Sequence, residues 1–188
     1  MNVRRWWFLL GLVCVAGCGY NTIQTYDEQV NAAEAQIKVQ LQRRADLIPN
    51  LVETVKGYAK QEQTVFGDVA DARAKLAGAV QSGDLQQMAA ANAALTAPLG
   101  RLLAIAEAYP QLKSNENFRA LQDQLEGTEN RIAVARQDYN DAVNTYNAYI
   151  RRFPAVLTAK VIGKGPRPYF DLQIPGAAEA PKVNFTQP

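Results

Sequence analysis

Residues 118 to 154 read "FRALQDQLEGTENRIAVARQDYNDAVNTYNAYIRRFP". Every seventh residue gives Phe118, Leu125, Ile132, Tyr139, Tyr146 and Phe153, with Leu121, Thr128, Ala135, Ala142 and Tyr149 between them. Positions alternating three and four apart without a break form one seam, as on a helix packed at a shallow angle against others. Ser114 or Asn115 supplies an N-cap. Arg151 and Arg152 place cations in the last turn, where the helix dipole favours them, and Pro154 ends the run. Such a helix is about 54 Å long at 1.5 Å per residue.

The upstream chain supplies partners of the same kind. After the turn Ser82-Gly83-Asp84, the stripe Leu85, Met88, Asn92, Leu95, Leu99, Leu102, Ala106 and Tyr109 keeps its phase through Pro98, so a kink is expected there rather than an end. A first stripe runs Ile23, Tyr26, Val30, Ala33, Ile37 and Leu41, then Ile48, Val52, Val55 and Ala59 around Pro49. Another runs Val65, Val69, Ala72, Leu76 and Val80. A straight helix through both would reach about 88 Å and leave its overhang wet. A turn between residues 57 and 64 is therefore favoured. The expected fold is all-α, an up-and-down antiparallel bundle of four long helices, or three if the first two are continuous. Six of the nine prolines fall in residues 154–188, so the bundle (22–153) is expected to give way to an irregular, extended tail (154–188).

At 188 residues the chain suits one domain. A net charge of +2 without a basic stripe argues against nucleic acid as a partner. There is no histidine, which removes imidazole as base, nucleophile's partner and metal ligand. The two cysteines, Cys14 and Cys18, lie in "LVCVAGCGY" (12–20), behind Arg4, Arg5 and an apolar run of about eleven residues. That run is a charged n-region and short h-region, below the roughly 20 residues a spanning helix needs. Small residues before Cys18 resemble a bacterial lipobox. The resemblance implies cleavage before Cys18, with a diacylglycerol on its thiol and an acyl chain on its amine. Residues 1–17 are then a signal peptide and 18–21 a lipidated start with a short linker. A plain secretory signal, or an N-terminal anchor with unpaired cysteines, is the alternative. In the lipoprotein reading no free thiol remains, and several chains anchor firmly where one holds only marginally. Gly19 after the cysteine points to the outer membrane, where the organism has one.

Two long segments, "VQLQRRADLIPNLVETVKGYAKQE" (39–62) and "EAYPQLKSNENFRALQDQLEGTENRIAVARQDYNDAVNTYN" (107–147), resemble the LemA family. "RRFP", "RPYFDL" and "PKVNF" follow its pattern, and "IGKGPRP" (162–168) departs from it, since an aromatic usually follows the glycine there. The resemblance implies a helical bundle, an extracytoplasmic position, attachment by an N-terminal helix or lipid, and an indirect association with membrane metallopeptidases. It implies no reaction.

The chemistry on offer is sparse. Ser82 and Ser114 sit where caps and turns want them. The carboxylates Asp46, Glu53, Asp123, Glu126, Glu129, Asp138 and Asp141 fall mostly off the apolar seam and read as a solvated face. A glycosidase needs two of them across a cleft, which a tight bundle does not obviously offer. Tyr139, Tyr146 and Tyr149, with Asn140, Asn144 and Asn147, are the least ordinary feature. They form either a core whose hydroxyls find partners at the bundle edge or an amphipathic end that receives another helix. Arg43, Arg44 and Asp46 form either a polar contact patch or an ion pair bracing the kink.

The expected function is thus a lipid-anchored adaptor or scaffold of the cell envelope, facing the periplasm or the outside. It carries no catalytic residue, no cofactor and no metal. Its partners are the membrane through Cys18, an envelope protein such as a membrane metallopeptidase, or further copies of itself. The alternatives are a carboxylate-dependent envelope glycan hydrolase and a self-assembling membrane-surface protein.

Overall fold

The structure, a computed structural model, describes residues 19 to 170. All regular structure among them is helical: α1 (Tyr20–Lys56), α2 (Gln63–Ser82), α3 (Leu85–Ala108), α4 (Pro110–Lys113), α5 (Glu116–Ile150) and α6 (Ala155–Val161). The chain turns at residues 57–62, as the length argument requires, and α1 and α3 run unbroken through Pro49 and Pro98. Asp84 caps α3 by accepting from the Gln86 and Gln87 amides, and Asn115 caps α5 by accepting from that of Phe118. Gly83 closes α2 at φ 73°, a left-handed conformation that suits glycine.

α1 and α5 pack along each other in opposite directions. Asp27 faces the chain beyond the end of α5, Arg44 meets Glu129, and Tyr58 meets Asn115. α2 folds back on the C-terminal half of α1, with Arg73 Nε donating to the Ala45 carbonyl, and α3 returns so that Asn92 lies beside Arg44. One continuous core runs through all of them, including Ile37, Leu41, Ile48, Leu76, Leu95, Leu102, Ile132 and Tyr139. α3 has the length and composition to cross a membrane, but its stripe of Met88, Leu95, Leu99 and Leu102 is buried against neighbouring helices.

Four departures from the sequence reading are physical. First, the helices are unequal. With 37 and 35 residues, α1 and α5 span about 55 Å, whereas α2 and α3, with 20 and 24, span about 30–36 Å. The α2–α3 turn therefore stops opposite Lys38, whose Nζ would lie 3.6 Å from a methyl group placed on Gly83, and among the described residues the N-terminal half of α1 has only α5, α6 and the tail for company. Second, the α5 seam does not stay in strict heptads. Past Tyr139 it moves to Val143, Tyr146, Asn147 and Ile150, while Ala142 and Tyr149 are half-buried and Phe153 is 78% exposed. A 3.6-residue helix drifts about 20° per heptad, enough to rotate those positions off the contact line. Third, the segment after Pro154 does not start irregularly, because α6 opens it. Fourth, α1 begins at Tyr20, inside the stretch read as a linker. Cys18, residues 1–17 read as a signal peptide, and residues 171–188 lie outside the described residues.

Candidate functional site

Two polar constellations organise the molecule, and both are built on α1 and α5. The first holds the tail. α6 ends in a Schellman turn: Gly163, at φ 69°, donates to the Lys160 carbonyl and Lys164 N–H reaches back to that of Ala159. This aims Lys164 at α1, where its Nζ lies 2.6 Å from Asp27 Oδ2, and Arg167 Nη2 lies 3.1 Å from Asp27 Oδ1. A side chain at 163 must adopt a left-handed backbone, so Gly163→Ala is expected to lower stability by about 1–2 kcal/mol, read as a lower denaturant midpoint.

From there the tail runs antiparallel to α5 and is held through its backbone. Asn147 Nδ2 donates to the Arg167 carbonyl and its Oδ1 accepts the Arg167 amide. Asn140 repeats this two-point bond with Phe170. The hydroxyls of Tyr146 and Tyr139 donate to the Gly165 and Pro168 carbonyls. The register is metrical. Seven helical residues rise about 10.5 Å and three extended ones span about 10 Å, so Asn147 to Asn140 matches Arg167 to Phe170. Pro166 and Pro168 lack N–H groups and supply only acceptors, which is why the amides pair with Arg167 and Phe170. Phe170 is buried at the end of the run under the Arg136 guanidinium, 5.2 Å from its ring centre.

The charges follow from the burial. Burial pushes the Asp27 carboxyl up, but hydrogen bonds from Lys164 and Arg167 outweigh it and hold the group below its usual 3.8. Burial raises Tyr139, helped by the Glu34 carboxylate, and raises Tyr146, helped by Asp27. Both tyrosines stay neutral donors at physiological pH. Because the folded Asp27 pKa lies below the unfolded one, its contribution is complete above the usual carboxylate range and is lost as pH falls through the depressed value. With Lys164 and Arg167 each about one-third exposed, that contribution is about 1–2 kcal/mol. Asp27→Asn should therefore flatten the loss of stability between about pH 4 and pH 2, roughly the range in which carboxylates titrate. A denaturation series in that range checks it.

The second constellation is a buried arginine where three helices meet. Arg44, 6% exposed, donates through Nη1 to Asn92 Oδ1 on α3 at 2.7 Å and to Glu129 on α5. Burial lowers its pKa and the Glu129 carboxylate raises it back in part. Its Nε has no partner among the described residues. Arg43, one residue earlier, points the other way. With Lys38, Val39, Gln42, Asp46, Leu47 and Val80 it lines a shallow groove of about 480 Å³ at the step where the α2–α3 hairpin ends.

The sequence candidates thus separate. Arg44 is interior, whereas Arg43 and Asp46 face the groove. Asp46 accepts from Gln42 and lies 4.0 Å from Arg73. Tyr139 and Tyr146 are committed to the tail, and Tyr149 packs edge-on against Tyr26 with ring centres 5.2 Å apart. Sequence reasoning missed Asp27, Asn92, Lys164 and Arg167 as members of these sites. The signal for the latch was the dipeptide Tyr-Asn at 139–140 and again at 146–147. Nothing local marked its partners. Among the described residues no three metal-ligating side chains converge.

Residues 33–185 match the family model described as LemA family, a span that takes in most of α1, all of α5 and the tail that α5 holds. The chain belongs to the LemA family. This LemA-family chain is 30% identical over 176 residues to each of two proteins of Paramagnetospirillum magneticum, magnetosome protein MamQ 1 and magnetosome protein MamQ 2. The likeness covers 80% of this chain and 64% of theirs. It is 27% identical over 167 residues to magnetosome protein MamQ of Magnetospirillum gryphiswaldense, with 77% and 61% covered. The chain spans less than two thirds of the length of these relatives.

Proposed function

We propose that this LemA-family protein is a lipid-anchored, non-enzymatic adaptor of the cell envelope, an up-and-down antiparallel helical bundle that stands out from a membrane and offers its side to a partner. One observation carries the reading. A methyl group on Gly19 would sit 3.5 Å from Tyr149 Oη and 3.6 Å from Ala155 Cα, so the residue bonded to Cys18 is packed into the base of the bundle. A lipid on Cys18 then holds the base of the body at the membrane without a free linker between them. The turn end, with Tyr58 and Asn115, stands about 55 Å away along α1.

The polar inventory supports an adaptor over an enzyme. Tyr139, Tyr146, Asn140 and Asn147 are spent on holding the tail, and Arg44 on joining three helices. The groove at Lys38, Val39, Arg43 and Asp46 remains as a mixed apolar and charged surface, which suits a protein contact. The names of the relatives, magnetosome proteins, carry no enzyme activity.

A photo-crosslinker at Arg43, compared with one at Val134 on the exposed side of α5, tests this in cells. Discrete adducts with an envelope protein are expected from position 43 only, and are lost in Cys18→Ser. Adducts equally frequent from both positions would sink the adaptor reading. So would turnover of peptidoglycan by the purified protein that Glu126→Gln or Glu129→Gln abolishes.

A further inference from the structure

α6 is amphipathic the wrong way round for a helix of a soluble bundle. Its inward face is small: Ala155, Thr158 and Ala159 are buried against α1 and α5. Its large apolar residues point out, with Leu157 51% and Val161 86% exposed, and Phe153, two residues before the helix, is 78% exposed. Residues 153, 157 and 161 are spaced four apart, so within α6 Leu157 and Val161 share a face. Three cations, Arg151, Arg152 and Lys160, are exposed around that face, and none is engaged in an ion pair among the described residues. A solvent-facing surface normally carries scattered apolar residues, whereas a contiguous line rimmed by polar groups marks a contact surface.

The place of α6 in the molecule says what covers that face. Ala155, its first residue, is the one against which Gly19 packs, and Gly19 is bonded to Cys18. Tyr20, half exposed beside them, adds an aromatic of the kind enriched where protein meets lipid headgroups. We propose that α6 is a second membrane contact. Phe153, Leu157 and Val161 sink into the outer few ångströms of an anionic phospholipid leaflet, while Arg151, Arg152 and Lys160 bind its headgroups. The insertion depth is that of an interfacial helix, about 5–10 Å. This rests on the lipid-anchored reading for the direction in which the membrane lies. The anchor alone leaves the body free to pivot; a foot beside it fixes the tilt and so the height and azimuth of the groove on α1 and α2. Because the Schellman turn at Gly163 passes directly from α6 to Lys164 and Arg167 on Asp27, the foot and the tail latch form one unit.

The test uses the full chain, purified from membranes and reconstituted in phosphatidylethanolamine–phosphatidylglycerol vesicles containing brominated lipid. Its two tryptophans, Trp6 and Trp7, precede the cleavage site, so Leu157→Trp places a unique fluorophore in the mature protein. Position 157 is at the surface, and the exchange leaves the core intact. Strong quenching of the probe at 157, with none for Val134→Trp on the far side of α5, is the expected result. Equal and negligible quenching at both overturns the foot. Mass measurement of the N-terminus decides the anchor separately. If Cys18 proves unacylated, the Cys18→Ser chain, with Trp6 and Trp7 replaced by Phe, is added to vesicles from outside. Quenching at 157 with phosphatidylglycerol and not with phosphatidylcholine then supports the foot alone, and no quenching with either overturns it. Changing Arg151, Arg152 and Lys160 to Gln should weaken binding of that unanchored chain about fivefold per cation removed.

Discussion

Alanine at both Asn140 and Asn147 is expected to free residues 163–170 from α5 and to speed proteolytic cleavage there roughly a hundredfold. Each amide makes two bonds with the tail backbone. At about 0.5–1.5 kcal/mol apiece, four lost bonds shift the local opening equilibrium by about 2–6 kcal/mol, and a hundredfold lies toward the lower end of that range. The tail amides of Arg167 and Phe170 should lose their hydrogen-exchange protection together, because the two anchors share one extended strand. Asn144→Ala is the control. Its one side-chain hydrogen bond among the described residues, accepted from the Tyr169 hydroxyl at 3.4 Å, is exposed, so cleavage should hardly change. A double variant with wild-type cleavage would mean that Phe170, Lys164 and Arg167 hold the tail without the amides. Global unfolding should move less than cleavage does, since the tail covers one end of the bundle and the core of α1, α2, α3 and α5 remains.

The second large effect concerns Arg44, and its sign depends on which partner is removed. Asn92→Ala leaves a buried guanidinium short of an acceptor beside an Nε that is already unpartnered, and is expected to destabilise by about 2–4 kcal/mol. Arg44→Met combined with Asn92→Leu removes the buried charge together with its buried amide partner and puts apolar side chains of similar size in their place. It should cost under about 1 kcal/mol, or stabilise, even though it deletes the same contact. Glu129 is half exposed, so Glu129→Gln should fall between them, at about 1 kcal/mol. Urea midpoints of the three variants order them. If the Arg44→Met, Asn92→Leu pair proves the worst, the arginine is a net source of stability rather than a device that sets the register of α1, α3 and α5.

Much of this is legible in the sequence. The three-four stripe of α3 predicted its buried residues well, from Met88 to Ala106, because a core helix between others has no choice of which face to hide. The break at residues 57–62 followed from length alone. The caps Asp84 and Asn115 lay where short polar side chains precede apolar runs. The α5 seam was read correctly up to Tyr139 and then drifted, since a heptad count assumes a supercoil that one straight helix need not follow. The same count puts Phe153 on that seam for its apolarity, whereas it stands outside, 78% exposed, just before α6.

The candidate sites were legible by type and not by partner. Two Tyr-Asn pairs seven residues apart announced a repeated polar contact on α5, and a run of prolines announced a chain that could not be helical. That one served the other could not be read, because Asn147 and Arg167 meet only after α6 has reversed the chain. Arg43 and Arg44 look alike as neighbours in sequence. Helical geometry turns them about 100° apart, one into a three-helix junction and one into a groove.

What the sequence determined by itself is the helical character of the chain, the turns that divide its four long helices, and how little nucleophilic and imidazole chemistry it carries. These are local properties, set by periodicity, capping and composition within a few turns. Which polar residues are satisfied inside and which face outward was decided by tertiary structure alone. The hairpin α2–α3 is shorter than α1 and α5, and the uncovered length had to be closed by the tail; that mismatch is a comparison of lengths between distant segments, which no window along the sequence contains.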